Sequence, residues 1–154
     1  MTTVTERLAE LGITLPQVVA PVASYVPAVR SGAFVFSSGQ LPFVDGVLPA
    51  TGKVGAEVDV ETAQRLAGYC AVNALAAIGS VVDLDDIVQV VRVMVYVASA
   101  TDFTAQAQVG NGASDQMRQI FGPAGEHARS AVGVAVLPLD TPVEVEVMVE
   151  VGSR

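Results

Sequence analysis

The 154-residue chain has one histidine, one cysteine, no tryptophan and a single lysine, Lys53. Each scarcity excludes something. One Cys70 and one His127 give no zinc-type ligand cluster, which needs several such side chains at close spacing. The lone cysteine cannot close an internal disulfide, and a reducing compartment, the cytoplasm, is expected. Eight basic residues against sixteen acidic ones give a formal net charge of −8. A surface of that sign is a poor match to nucleic-acid phosphates, so no nucleic-acid partner is expected. No run approaches the ~18 apolar residues of a membrane span, and no basic segment followed by an apolar run opens the chain. Neither a phosphate-binding glycine loop nor a G-x-S-x-G nucleophile turn occurs.

Half of the chain, 51%, is hydrophobic, much of it Val and Ala. Such a chain packs through small and β-branched side chains, either in a large core or across an oligomer contact. Its length suits one domain. Thr3 to Leu11 reads as a short helix, with Thr3 and Glu6 at capping-box spacing and Gly12 as its stop. Tyr25–Val29 and Ala33–Ser37 read as a hairpin, Pro27 placing the first run at a sheet edge or a strand's beginning. Asp45-Gly46 marks a tighter turn, because that pair tolerates positive φ at both positions. A loop from Pro49 to Asp59 leads to the strongest helix, Glu61 to Val82, capped by Asp59, with Leu66, Cys70, Asn73, Ala74, Ala77, Ile78 and Val81 recurring at helical steps.

Ile87 to Val97 is almost wholly β-branched, as in a central strand covered on both faces. Thr101 to Phe121 is helical in character, but Gly110-Asn111-Gly112 predicts a helix in two pieces, closed by Gly122-Pro123. Two final runs follow, Arg129–Leu137 and Val143–Val151. The order helix, hairpin, helix, strand, helix, strand, strand fits an α+β domain with a mainly antiparallel sheet.

Three residue sets could carry chemistry. In the last run Val143, Val145, Val147, Val149 and Val151 share one face, and Glu144, Glu146, Met148 and Glu150 the other. The plainest reading is a core face and a solvated face. Arg129 opens a strand of small residues; it suits a solvated strand end, or a clamp whose parallel donors match a carboxylate. His127, two residues earlier, lacks a visible base partner and reads as a loop hydrogen-bonder. Gly39, after Ser37-Ser38, could bring backbone N–H groups near a small anion. Cys70 lies on an apolar helix stripe, a core position.

Taken in order, Tyr25-Val26, Ser37-Ser38-Gly39-Gln40-Leu41-Pro42, Ala128-Arg129-Ser130, Leu137-Pro138 and Val143-Glu144-Val145-Glu146 resemble the signature of the RidA/YjgF family, also labelled endoribonuclease L-PSP-like. The match runs from about Ser24 to Val151. The resemblance implies a fold like chorismate mutase of the small trimeric type: a mixed sheet covered by two main helices. Residues 1–16 would be an N-terminal helical extension and 17–154 a single domain. It further implies a homotrimer with clefts between subunits, and hydrolysis of enamines and imines of 2-amino acids to 2-keto acids and ammonia without a cofactor or metal. By position, Arg129 would clamp the substrate carboxylate and Glu144 would position or activate water. Gly39 would give a backbone contact, and Ser38 and Tyr25 would line the cleft. A trimeric module that only binds a small carboxylate is the alternative, and endoribonuclease activity a third reading.

This chain departs from the deaminase pattern at Ala131, where those members have a cysteine, at His127, where they have a proline, and in its N-terminal helix. Geometry adds a condition. A simple hairpin of the two last runs would hold Arg129 and Glu144 roughly 20 Å apart. The resemblance implies instead that the last strand inserts beside the first ones.

Overall fold

A computed structural model describes residues 1–18 and 23–152. Helix α1 spans Val4–Glu10 and begins with the full capping box between Thr3 and Glu6. It packs Leu8 into the core, and Arg7 donates from Nε to the Gln119 carbonyl (2.9 Å) while Thr5 donates from its backbone N–H to Asp85 (2.8 Å). The helix thus lies against other helical elements.

The hairpin forms as β1 (Ala28–Ser31) and β2 (Phe34–Ser37), turning at Gly32, whose φ is +63°. Strand β1 starts directly after Pro27 and is an edge strand, as a residue without an N–H donor requires. Asp45 and Gly46 both take positive φ, 50° and 78°, between the bridged Val44 and Val47. Helix α2 (Val60–Gly79) is capped by Asp59, whose side chain accepts from the Thr62 N–H at 2.7 Å. Cys70 is fully buried in it, and burial pushes its thiol pKa well up, with the Glu144 charge adding to the effect.

Strand β3 (Ile87–Ala98) is central, but its second face is not covered. Val93, Val95 and Val97 are buried under the helices, while Arg92, Met94 and Tyr96 lie on a face that one chain leaves open. A run rich in β-branched residues marks a strand but does not say whether its own chain covers both faces.

Helix α3 (Gln106–Phe121) corrects the two-piece expectation: it runs unbroken through Gly110 and Gly112. Both glycines are there for close approach. A Cβ on Gly112 would collide with the backbone carbonyl of Gln64 in α2, and one on Gly110 would meet Arg129 Nη1 and the Ala131 methyl, each at 3.2 Å. The helix closes at Gly122, φ +58°, followed by a 3₁₀ turn over Gly122–Gly125.

Strands β4 (Ala128–Val134) and β5 (Val143–Val151) complete one five-stranded mixed sheet ordered β1-β2-β5-β3-β4. The last two strands are therefore not a hairpin. β4 runs parallel to β3, and β5 inserts between β2 and β3, antiparallel to both. The five odd-numbered valines of β5 are buried against the helices, and its glutamates face the open side. Among the described residues no helix is long and apolar enough to cross a membrane.

Candidate active site

The candidate residues fall into two groups on opposite faces of the sheet. The first is built where β2 ends. Gln40 continues the pairing past Ser37, its N–H donating to the Val145 carbonyl (2.8 Å) and its carbonyl accepting from the Val145 N–H (3.0 Å). Ser38 donates its hydroxyl to the Val26 carbonyl at 2.6 Å, tying this segment to the chain beside Tyr25. The α2 residue Asn73 holds the next stretch, its Nδ2 donating to the carbonyls of Leu41 (2.8 Å) and Phe43 (3.1 Å). On the helix face it shares with Leu66, Cys70 and Ala74, it is a polar anchor.

These contacts press Gly39 against the Glu144 carboxylate so closely that a Cβ at 39 would overlap Oε1 and stand 2.9 Å from Cδ. Glycine is needed here for space, since its φ is ordinary. Glu144 is half-buried, and its pKa is raised, first by loss of water around the carboxylate and then by repulsion from Glu146 two residues on. Tyr96, opposite Glu144 in the β3–β5 register, donates its hydroxyl to Glu146 Oε1 at 3.1 Å. Burial, then the Glu146 charge, raises the tyrosine pKa in turn. Tyr25 is largely exposed, just ahead of β1.

The second group centres on Arg129 of β4. This residue pairs with the buried Val93, so its side chain leaves the sheet on the helix side and lies along α3. Nη1 donates to Asn111 Oδ1 (2.9 Å) and Ser114 Oγ (3.1 Å), and Nη2 donates to the Ala107 carbonyl (3.3 Å). With both Nη1 hydrogens and one of Nη2 engaged, Nε–H and a second Nη2 hydrogen have no partner among the described residues. His127 is a hydrogen-bonder, as its loop position suggested: Nδ1 lies 2.6 Å from the Gly125 carbonyl and Nε2 2.9 Å from Ser114 Oγ.

Glu144, Gly39 and Ser38 thus come together in one chain, and Arg129 does not join them. It aligns with Val93 and Glu144 with Tyr96, two strands and three residues apart, roughly 14 Å at ~3.3 Å per residue and ~4.8 Å per strand, on the other face. Asn111 and Ser114 were not singled out from sequence. Their spacing with Ala107 and Gly110 makes one helix face, a signal hidden by reading Gly-Asn-Gly as a break.

The Endoribonuclease L-PSP family profile matches residues 5–151. Among known sequences, the chain is 43% identical to Protein TCP17 of Trypanosoma cruzi, over 97% of this chain and 95% of that one. It is 30% identical to the putative reactive intermediate deaminase TdcF of Escherichia coli (81% and 84% covered). It is 29% identical to a 2-iminobutanoate/2-iminopropanoate deaminase of Salmonella typhimurium (82% and 87%). Among solved structures, Atu1372 of Agrobacterium tumefaciens, described as of unknown function, superposes with a TM-score of 0.88 at 45% identity, covering 97% of this chain and 92% of that one. E. coli TdcF with bound serine superposes with a TM-score of 0.62 at 29% identity, covering 87% and 91%.

Proposed function

Because the chain belongs to the endoribonuclease L-PSP family, the RidA/YjgF family of reactive intermediate deaminases, we propose that it hydrolyses small enamines and imines of 2-amino acids to 2-keto acids and ammonia. The observation that carries this reading is the state of Arg129. Its guanidinium is fixed on the Nη1 side by α3, while Nε–H and one Nη2–H are unspent, and such a fork suits a carboxylate. The imine carbon next to that carboxylate is already electrophilic, so orientation and one proton-handling group suffice.

In the proposed step a water oxygen bonds to the imine carbon as the Glu144 carboxylate takes its proton. That proton passes to the nitrogen as the C=N π bond gives way, the remaining hydroxyl proton follows it by way of Glu144, the C–N bond breaks, and ammonia leaves as the carbonyl forms. An enamine first takes a proton on its β-carbon to reach the imine. Glu144 suits the role because its raised pKa makes it a better base than an ordinary solvated carboxylate.

One chain holds the two groups apart, so the proposal includes a homotrimer in which Arg129 of one subunit faces Glu144, Gly39, Ser38 and Tyr25 of a neighbour. Val29, Phe34, Phe36 and Val132, exposed on the open sheet face, support such packing. The relatives named as deaminases support the reaction class. Ala131 beside Arg129 favours one alternative, a trimer that binds a small carboxylate without turnover, because the thiol of the deaminase pattern is missing. The acidic balance and single lysine weigh against RNA cleavage.

The test is to generate imines with an amino-acid oxidase or a serine/threonine dehydratase and follow their decay with and without the protein. Acceleration is expected, with Arg129→Ala losing about 10- to 100-fold in kcat/KM, the value of charge-assisted hydrogen bonds. No acceleration for several amino acids, with 2-keto acids still raising Tm, would establish the binding-only alternative.

A further inference from the structure

The proposed clamp depends on a guanidinium that makes no ion pair among the described residues and is held by neutral groups, and one of those has a support of its own. We infer that Ser114 and His127 are positioning residues: a one-directional hydrogen-bond chain from Arg129 through Ser114 and His127 to the Gly125 carbonyl fixes the clamp. This rests on the reading of Arg129 as the carboxylate-binding group.

Direction follows from donor and acceptor chemistry. The Gly125 carbonyl can only accept, so the nitrogen 2.6 Å away, Nδ1, carries the hydrogen. In the neutral ring Nε2 is then an acceptor, and Ser114 Oγ at 2.9 Å gives its hydrogen to it. The Ser114 lone pairs are left to receive Arg129 Nη1 at 3.1 Å. Without His127, the hydroxyl would turn its hydrogen toward the carbonyl one turn back in α3, the usual choice of a helical serine. The lone pairs would turn with it, away from the guanidinium.

The far end of the chain is itself closely packed. Gly125 packs so tightly on α3 that a Cβ there would overlap the Met117 carbonyl, and Gln89 Nε2 donates to the neighbouring Glu126 carbonyl. The 3₁₀ turn after α3 therefore sets the height of the imidazole, the imidazole sets the hydroxyl, and the hydroxyl sets the guanidinium. Gly110 leaves the space in which that guanidinium lies. His127 touches no reacting atom in this scheme, and its effect passes entirely through Ser114.

His127 is the only histidine, so histidine-selective ¹⁵N NMR reads this one ring. In the neutral ring the Nδ1–H tautomer is expected, with the Nε2 resonance moving in Ser114→Ala. In imine hydrolysis, Ser114→Ala and His127→Phe should each raise KM about tenfold with kcat within about twofold, the pattern of lost uniform binding. Tm should change little, and Ser114→Thr, which keeps the hydroxyl, should recover most of the loss. An Nε2–H tautomer overturns the inference alone. So does wild-type KM in Ser114→Ala and His127→Phe while Arg129→Ala has lost activity, or a loss that tracks unfolding with KM unchanged. Wild-type kinetics in Arg129→Ala, or no hydrolysis by the wild type, overturns the clamp reading and the inference with it.

Discussion

Glu144 and Glu146 stand two residues apart on one face of β5, and the physical difference between them is what makes one a candidate base. Glu146 receives the Tyr96 hydroxyl, whereas Glu144 is half-buried against the backbone of Gly39. Its pKa is raised chiefly by that burial and secondly by the Glu146 charge. Since the base must be ionised, the acid limb of kcat/KM should lie above the value of an ordinary solvated glutamate. Glu146→Gln removes the second cause and should move that limb to lower pH without bringing it to the solvated value, as a pH–rate profile would show. A limb that stays in place would mean that Glu144 is not the titrating base. Stability has the opposite sense: a carboxyl whose folded pKa is raised favours folding fully below its unfolded pKa and loses that contribution as pH rises through the folded pKa.

Two glycines two residues apart in α3 separate packing from positioning. Each costs the helix up to ~1 kcal/mol relative to alanine, so local propensity alone would reward replacing both. At Gly112 the new methyl would enter the backbone of α2, and Gly112→Ala should destabilise by about 1–3 kcal/mol, the range for overpacking. At Gly110 the neighbours are the tip of Arg129 and the Ala131 methyl, which can shift by a few tenths of an ångström. Gly110→Ala should therefore keep or slightly raise Tm while raising KM several-fold, because the guanidinium moves from its seat on the helix. Thermal melts beside steady-state kinetics check both. If Gly110→Ala kept the wild-type KM, the seat would have no bearing on the clamp.

At the scale of the whole molecule, the sheet has one face under α2 and α3 and one face open. The open face carries Phe34 and Phe36 on β2 and Val132 on β4, partly exposed, around the Glu144–Glu146–Tyr96 cluster. The apolar part of that face, left to water, is unfavourable by roughly 25 cal/mol per Å², which association would offset. The wild type should sediment as a trimer, and Phe36→Glu should shift it toward monomer and abolish hydrolysis together. A monomeric wild type that still hydrolyses imines would refute the proposed shared site.

Local chemistry was legible in the chain itself: the capping box at Thr3, the Asp59 cap, the Asp45-Gly46 turn, the edge position of β1 after Pro27 and the alternating faces of β5. These depend on short-range rules of donors, φ and period that a sequence carries in full. The motif resemblance likewise pointed to the family and to the insertion of β5 beside β2. Only the tertiary structure decided that α3 is continuous, because the reason for Gly110 and Gly112 lies in residues 64, 129 and 131. It alone placed Arg129 on the face opposite Glu144, since the side of a strand that a residue occupies depends on register with strands far away in the chain. And it alone joined His127, Ser114 and Arg129, three residues whose hydrogen bonds exist because a helix and a parallel strand happen to lie side by side.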